Sequence, residues 1–177
     1  MIDAIEYAIA LFLLTEEEQI TNIVIDEIRT VKTLLCENPR YIKLLDTPAL
    51  VKDEKLHLID QAFSSLNENL LNFIKILCEK HAVYQFPKIT DAYASLYDES
   101  RGIERVEAVT AVPMKAAQVT AMSEKLASLT GKTIIIKNTV DPSVLGGVIL
   151  RYSGTQLDGS LTARLESFEK SLKSVVI

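Results

Sequence analysis

The chain has 177 residues and a net charge of −5, and 48% of its residues are apolar. Such a composition supports a hydrophobic core, and with only 6 Gly and 5 Pro it excludes a disordered or low-complexity chain. Residues 1–104 carry 10 Lys and Arg against 18 Asp and Glu (10 − 18 = −8), whereas residues 105–177 carry 9 against 6 (9 − 6 = +3). Because no dense basic cluster is present, binding to nucleic acid or to an anionic lipid surface is not expected.

No stretch of the sequence predicts a membrane-spanning helix. The most apolar stretch, Tyr7 to Leu14, is far shorter than the ~20 residues that a bilayer requires. Asp3 and Glu6 stand where a secretory signal would carry basic residues. We therefore expect any membrane association to be indirect, through a protein partner, and the absence of a recognisable transit peptide favours a bacterial chain.

The acidic part of the chain shows the apolar spacing of successive α-helices. A first helix is predicted from Met1 to Leu14, and Thr15 with Glu18 has the spacing of a capping box that opens a second helix. Asn38 followed by Pro39 predicts the start of a third helix. Three further helices are predicted: one after Pro48, one that Asn67 is expected to cap, and one around Pro87. Six helices with short connections predict a bundle.

The pattern changes to that of a small α/β domain after residue 101. Glu104 to Val112 alternates and is rich in Val, which predicts a strand, and Pro113 opens a helix that Gly131 ends. Since a second strand follows at Thr133 to Val140, the connection is predicted to be a right-handed parallel crossover. Further strands are predicted at residues 148–152 and up to 157, before a last helix. The expected fold class is α+β, with a six-helix bundle over residues 1–104 and a mixed-sheet α/β domain over residues 105–177.

The sequence shows no pattern of a catalytic, cofactor or metal site. Gly131-Lys132-Thr133 matches the end of a phosphate-binding loop, but the glycine required five residues earlier is missing, and helix precedes strand instead of following it. Cys36 and Cys78 lie in apolar helical patterns and are expected to be buried, reduced thiols. His57 and His81 have no neighbouring nucleophile and are expected at helix ends or on the surface.

The first predicted helix has more apolar positions than one buried face requires. Ile5, Ile9 and Phe12 fill one face at helical spacing. A second face consists of Tyr7, Ala10, Leu11 and Leu14. The fifth helix shows a similar excess. Either both helices are central in the bundle, or a groove between them accepts an amphipathic helix from a partner protein.

Three motifs resemble the delta subunit of F-type ATP synthases, the bacterial counterpart of the mitochondrial oligomycin-sensitivity-conferring protein. The motifs are Tyr-Ala-Ile-Ala-Leu-Phe at residues 7–12, the fifth-helix pattern at residues 72–79, and the stretch 140–151, which is followed by Leu-Asp-Gly-Ser at residues 157–160. The closing motif is the most specific, and the resemblance covers essentially the whole chain. One departure is His81-Ala82, where the family often has Gly-Arg.

The resemblance implies a non-catalytic stator subunit, which links the α3β3 catalytic head to the peripheral stalk and resists rotor torque during proton-driven ATP synthesis. Residues 1–104 would bind N-terminal helices of the α subunits, and residues 105–177 would bind the C-terminus of the b subunits. The subunit would be peripheral, on the cytoplasmic face of the bacterial plasma membrane, as part of the complex. The groove for the α-subunit helix would then lie at Tyr7, Ala10, Leu14, Asn72 and Ile76.

For the closing motif, the resemblance favours a structural role. Gly146 and Gly147 would shape a turn, Asp158 with Gly159 would lead into and cap the last helix, and Arg151 would pair with an acidic group. Two alternatives stay open at this level: an unrelated helix-binding adaptor, and a small α/β enzyme. The enzyme would require a cleft with convergent polar groups, for which the sequence offers no residue set.

Overall fold

The computed structural model describes residues 3–47, 50–152 and 154–160. The chain divides into two compact units, residues 1–100 and residues 101–177, called here the helical unit and the sheet unit. The expected α+β class is confirmed, because helices make up the described part of the first unit and a four-stranded sheet lies in the second.

One hydrophobic core joins the helices of the helical unit, and it takes buried side chains from each of them. A short 3₁₀ turn, Val83–Gln85, precedes the last helix. Within the part of the chain that the structure describes, no helix has the length and apolar character to cross a bilayer. The helices are α1 (Ala4–Glu17), α2 (Thr21–Glu37), α3 (Pro39–Asp46), α4 (Lys52–Ala62), α5 (Glu68–Glu79) and α6 (Phe86–Ser100).

Helix α1 begins and ends about three residues later than predicted. Its N-terminus is closed by a capping box, in which Asp3 accepts from the helix backbone while the Glu6 carboxylate accepts from the Asp3 N–H. The predicted capping role of Thr15 is wrong, because Thr15 is buried inside α1 and its hydroxyl donates to the Phe12 carbonyl oxygen (3.0 Å). A hydrogen bond of 2.7 Å between the Thr15 and Tyr93 hydroxyls then ties α1 to α6.

Two asparagines that were predicted to cap helices behave differently. Asn67 does cap α5, since its side-chain oxygen accepts from the Asn69 N–H at 2.9 Å. Asn38 precedes α3 but makes no side-chain cap there. Instead its amide donates to the Leu34 carbonyl oxygen at 2.9 Å and closes the end of α2. An asparagine between two helices can serve either of them, and here the free carbonyl groups of α2 are the nearer partners.

The sheet unit contains a mixed sheet in the order β2-β1-β3-β4. Strands β1 and β2 are parallel, as predicted, and the connection between them is helix α7, which ends at Gly131 in the left-handed conformation (φ 70°). Strand β3 pairs antiparallel with both β1 and β4. The elements are β1 (Ile103–Thr110), α7 (Ala116–Thr130), β2 (Thr133–Val140), β3 (Val148–Tyr152) and β4 (Thr155–Asp158).

The amide of Asn138 on β2 holds the segment between β1 and α7 in place. It donates to the Ala108 carbonyl oxygen and to the Thr110 hydroxyl, both at 2.8 Å, while its side-chain oxygen accepts from the Met114 N–H at 2.8 Å. These bonds satisfy polar groups that would otherwise be costly to bury. The predicted last helix lies outside the described residues.

Candidate partner-binding face

Helices α1 and α5 lie side by side and run in opposite directions. Near the start of α1, the Tyr7 ring meets the Phe73 ring of α5 edge to face, with 6.2 Å between ring centroids. Near the end of α1, Glu18 accepts a hydrogen bond from the Asn69 side chain at the start of α5. The two contacts place the first turn of α1 beside the middle of α5, and the end of α1 beside the start of α5.

Helix α1 has one buried face with apolar residues on both sides of it. The side next to α5 carries Tyr7, which is half-buried, Ala10, which is exposed, and Leu14, which is 41% exposed. The described residues of the helical unit therefore do not enclose α1. The buried face consists of Ala4, Ala8, Leu11, Phe12 and Thr15.

Helix α5 supplies the opposite side of this surface. Asn72 is exposed and Ile76 is 49% exposed, and both lie on the side of α5 that holds Phe73. Antiparallel helices with partly exposed apolar residues along their shared edge form a shallow strip that an amphipathic helix can cover. We call Tyr7, Ala10, Leu14, Asn72 and Ile76 the α1–α5 face.

The sequence prediction of the faces of α1 needs two corrections. Phe12 was grouped with Ile5 and Ile9, but Phe12 packs edge to face on Tyr93 of α6 in the core, while Ile5 and Ile9 are exposed. Leu11 was grouped with the α1–α5 face but is buried. Sequence reasoning also missed Leu13, which is 59% exposed and continues the spacing of Ile5 and Ile9. The i, i+4, i+8 spacing of these three residues is the signal that marks this second apolar side.

In the sheet unit, the glycines of the closing motif lie where backbones approach closely. A Cβ at Gly147 would stand 2.5 Å from the Gly159 carbonyl oxygen, and the φ of Gly147 is 86°. A Cβ at Gly159 would stand 3.1 Å from the Val148 carbonyl oxygen, which accepts the Gly159 N–H at 3.0 Å. Gly147 directly precedes β3 and Gly159 directly follows β4, so this contact joins the start of β3 to the end of β4. Gly146 precedes this contact in the same turn.

The polar residues of the closing motif have local partners. Arg151 on β3 lies 3.6 Å from the Glu107 carboxylate on the neighbouring strand β1, and its Nε donates to Gln156 Oε1 at 3.1 Å. Asp158 accepts the Ser160 N–H at 2.9 Å. Hydrogen bonds from the hydroxyl and the N–H of Ser160 lower the pKa of Asp158, so this carboxylate stays ionised at neutral pH.

The described residues hold no group of three or more His, Cys, Asp or Glu side chains that is placed to bind a metal ion. Of the two thiols, Cys78 is buried as expected, and burial raises its pKa. The expectation for Cys36 is wrong, because the thiol is exposed near the end of α2. Cys36 follows the buried Leu35 directly, so it points away from the core.

Comparison with known protein families decides which family this arrangement represents. Residues 4–172 match the family of the ATP synthase delta (OSCP) subunit, which is nearly the whole chain. The chain belongs to the ATP synthase delta (OSCP) subunit family. The α1–α5 face lies in the part of the chain that the family covers.

Curated relatives agree with this assignment. The chain is 34% identical to the ATP synthase subunit delta of Geobacillus sp. strain WCH70 over 94% of each chain. It is 32% identical to the ATP synthase subunit delta of Clostridioides difficile strain 630, over 96% of this chain and 95% of that one. A chain in the mitochondrial ATP synthase hexamer of Toxoplasma gondii superimposes with a TM-score of 0.73 over 97% of this chain and 98% of that chain, at 20% identity. The structural likeness supports the fold.

Proposed function

We propose that this chain is the delta subunit of an F-type ATP synthase, a non-catalytic stator subunit that links the α3β3 head to the peripheral stalk. The family membership supports this role, and the relatives carry the same subunit name over nearly their whole length. As a stator, the subunit resists the torque of the rotor while the protons that drive ATP synthesis pass through the membrane part of the complex.

In this proposal, the six helices of the helical unit act as one bundle that binds an N-terminal helix of an α subunit. The observation that carries the proposal is the α1–α5 face, where Leu14 and Ile76 stay partly exposed although a complete core lies beneath them. Exposed apolar side chains that lie together on one surface are typical of protein-binding sites.

Each part of the α1–α5 face has a separate role in docking a helix. Ala10 has a side chain small enough to let the partner's backbone approach. Leu14 and Ile76 bury apolar area, at about 25 cal/mol per Å² before the entropic cost of association. The Asn72 amide offers a donor and an acceptor that orient the partner helix. The Tyr7 ring, supported from below by Phe73, forms the end of the strip.

The sheet unit is proposed to bind the C-terminal end of the b subunits. Its charge supports a different partner from that of the helical unit, since residues 105–177 carry +3 and residues 1–104 carry −8. The whole subunit would be held at the cytoplasmic face of a bacterial plasma membrane by these two contacts, without touching the lipid itself.

A peptide titration tests the docking proposal. A fluorescent peptide of the α-subunit N-terminal helix is titrated with the full chain, and anisotropy gives the Kd. The substitution Ala10→Asp should weaken binding at least about tenfold, or about 1.4 kcal/mol, because a carboxylate would be buried without a partner.

The matched control is Leu13→Asp, which adds the same charge to the same helix on the side away from α5. It should leave the Kd within about twofold of the wild type, because Leu13 is not part of the α1–α5 face. Equal affinity of the wild type and Ala10→Asp, or a larger loss with Leu13→Asp, would contradict the proposed face. A chain that binds no α-subunit peptide would instead favour an unrelated helix-binding adaptor.

A further inference from the structure

A cavity of about 440 Å³ lies in the helical unit, between the first turns of α4 and the end of α5. It is separate from the α1–α5 face, and the stator role makes no use of it. Leu50 and Leu56 form apolar walls, Cys78 lies at its base, and the Lys55 ammonium and the His81 imidazole also line it. The ion pair of Lys52 with Glu79, 2.9 Å long, crosses its rim.

Lys55 is the unusual residue of this cavity. Its side chain is only 6% exposed, whereas lysine is almost never buried unless it is paired. Within residues 3–47, 50–152 and 154–160, no hydrogen bond or ion pair is found for it. Because the side chain lines the cavity, the ammonium group is the donor that a ligand in the cavity would meet.

Asp46 lies near Lys55 and sets a limit on the charge that the cavity can accept. Its Oδ1 atom is buried without a hydrogen-bond partner among the described residues. Burial raises the pKa of Asp46, while His81 and Lys55 act in the opposite direction. Asp46 and Glu79 repel a ligand with two negative charges more strongly than a ligand with one, so the cavity favours the lower charge.

His81 brings its imidazole to the cavity from an unfavourable backbone position. Its φ is 52°, in the left-handed region that glycine prefers, and the turn is held by the bond from the His81 N–H to the Cys78 carbonyl oxygen (3.1 Å). A conformation of this kind persists where the surrounding structure imposes it, and it is common at ligand sites.

We propose that this cavity binds a monocarboxylate with a short apolar body. One carboxylate oxygen accepts a hydrogen bond from the Lys55 ammonium and the other accepts one from the His81 ring, while the carbon chain lies against Leu50 and Leu56. The single negative charge of the ligand lies against the Lys55 ammonium. The source of the carboxylate is either a free small acid or the C-terminus of a protein chain, since both present the same group.

Cys78 does not make this cavity a nucleophilic site. Its thiol donates to the Leu45 carbonyl oxygen (3.7 Å), and burial raises its pKa, so the reactive thiolate is disfavoured. The base of the cavity is therefore neutral, and no chemical step is part of the proposal.

The test is an NMR titration of the ¹⁵N-labelled full chain with sodium butyrate at constant ionic strength, and 1-butanol is the uncharged control. Shifts at residues 55, 78 and 81 report binding. Lys55→Met keeps the length and apolar stem of the side chain and should weaken butyrate binding at least about tenfold. The control is Lys88→Met, an exposed lysine on α6, which should bind butyrate like the wild type.

Further ligands distinguish a free small acid from a protein C-terminus, and a second variant replaces Lys55→Met if that protein does not fold. N-acetyl-leucine represents a protein C-terminus and should bind more tightly than butyrate if that is the source, whereas butyrate should bind more tightly if the source is a free acid. If Lys55→Met does not fold, His81→Gly should still weaken binding several-fold. Equal binding of 1-butanol, tighter binding of inorganic phosphate, or unchanged affinity in the Lys55 and His81 variants would overturn the proposal.

Discussion

At the residue scale, His81 combines an unfavourable backbone conformation with an exposed side chain. Its φ of 52° is one that glycine adopts without cost. Replacing it by glycine should therefore raise the free energy of unfolding by about 0.5 kcal/mol, after allowance for the greater freedom of glycine in the unfolded chain. Urea denaturation measures the change.

Gly131 is the matched control for His81, because its φ is 70° and a Cβ there would meet nothing within 4 Å. Gly131→Ala should lower the free energy of unfolding by about 1 kcal/mol through backbone conformation alone. If His81→Gly instead lowered the stability by a similar amount, the imidazole would have to make stabilising contacts that outweigh its strain.

The raised pKa of Asp46 predicts how the stability of the fold changes with pH. Because burial raises its pKa in the folded chain, the proton is held more tightly in the folded than in the unfolded state. Its contribution to stability is therefore fully present below its unfolded pKa of about 4 and is lost as pH rises through the folded value. Asp46→Asn, which does not ionise, should gain stability relative to the wild type as pH increases from about 4 to 7.

Thermal unfolding of both proteins across this pH range checks the expectation. Asp141 is a suitable contrast, because hydrogen bonds from Ser143 lower its pKa, and its contribution to stability is present above its unfolded pKa of about 4 and lost below it. In scans extended below about pH 4, Asp141→Asn should gain stability relative to the wild type as pH falls. A constant difference between the wild type and Asp46→Asn at all pH values would contradict the assigned direction.

At the element scale, the turn before β3 depends on the contact between Gly147 and Gly159. A Cβ at Gly147 would meet backbone atoms that cannot rotate away, at 2.5 Å from the Gly159 oxygen and 2.9 Å from the Ser160 Cα. Gly147→Ala should therefore cost clearly more than Gly131→Ala, about 2 kcal/mol or more. Denaturant unfolding of the two variants makes the comparison, and equal losses would show that the contact is not needed.

Sequence patterns predicted the sheet elements better than the start of the helical unit. Thr133–Val140 and Val148–Tyr152 have the predicted bounds. A run of β-branched residues between turn residues defines both ends of a strand. The boundary between α1 and α2 was wrong, because Thr15 satisfies the capping pattern locally but its hydroxyl bonds to Tyr93, 78 residues away. Such tertiary partners cannot be read from local spacing.

The candidate face was harder to predict than the fold for a related reason. Apolar residues surround most of α1, so periodicity alone did not separate the buried Phe12 from the exposed Ile9. The contact of Phe12 with Tyr93 decides its orientation, and it depends on where α6 lies. Tyr7, Ala10, Leu14, Asn72 and Ile76 therefore stay predicted binding residues that rest on exposure and on the antiparallel placement of α1 and α5.

At the scale of the whole molecule, the proposed function assigns one partner contact to each unit of a non-catalytic subunit. The family covers residues 4–172, so both units belong to the same delta subunit pattern. A pull-down of the full chain from native membranes should recover α and b subunits together. Ala10→Asp should reduce recovery of the α subunit while keeping that of the b subunit, because the substitution lies in the helical unit alone.

The most direct test of the central claim is chemical-shift mapping of the ¹⁵N-labelled full chain with a peptide of the α-subunit N-terminal helix. The largest shifts should occur at Tyr7, Ala10, Leu14, Asn72 and Ile76, and the sheet unit should stay unchanged. Shifts concentrated on Ile5, Ile9 and Leu13, or in residues 101–160, would contradict the account.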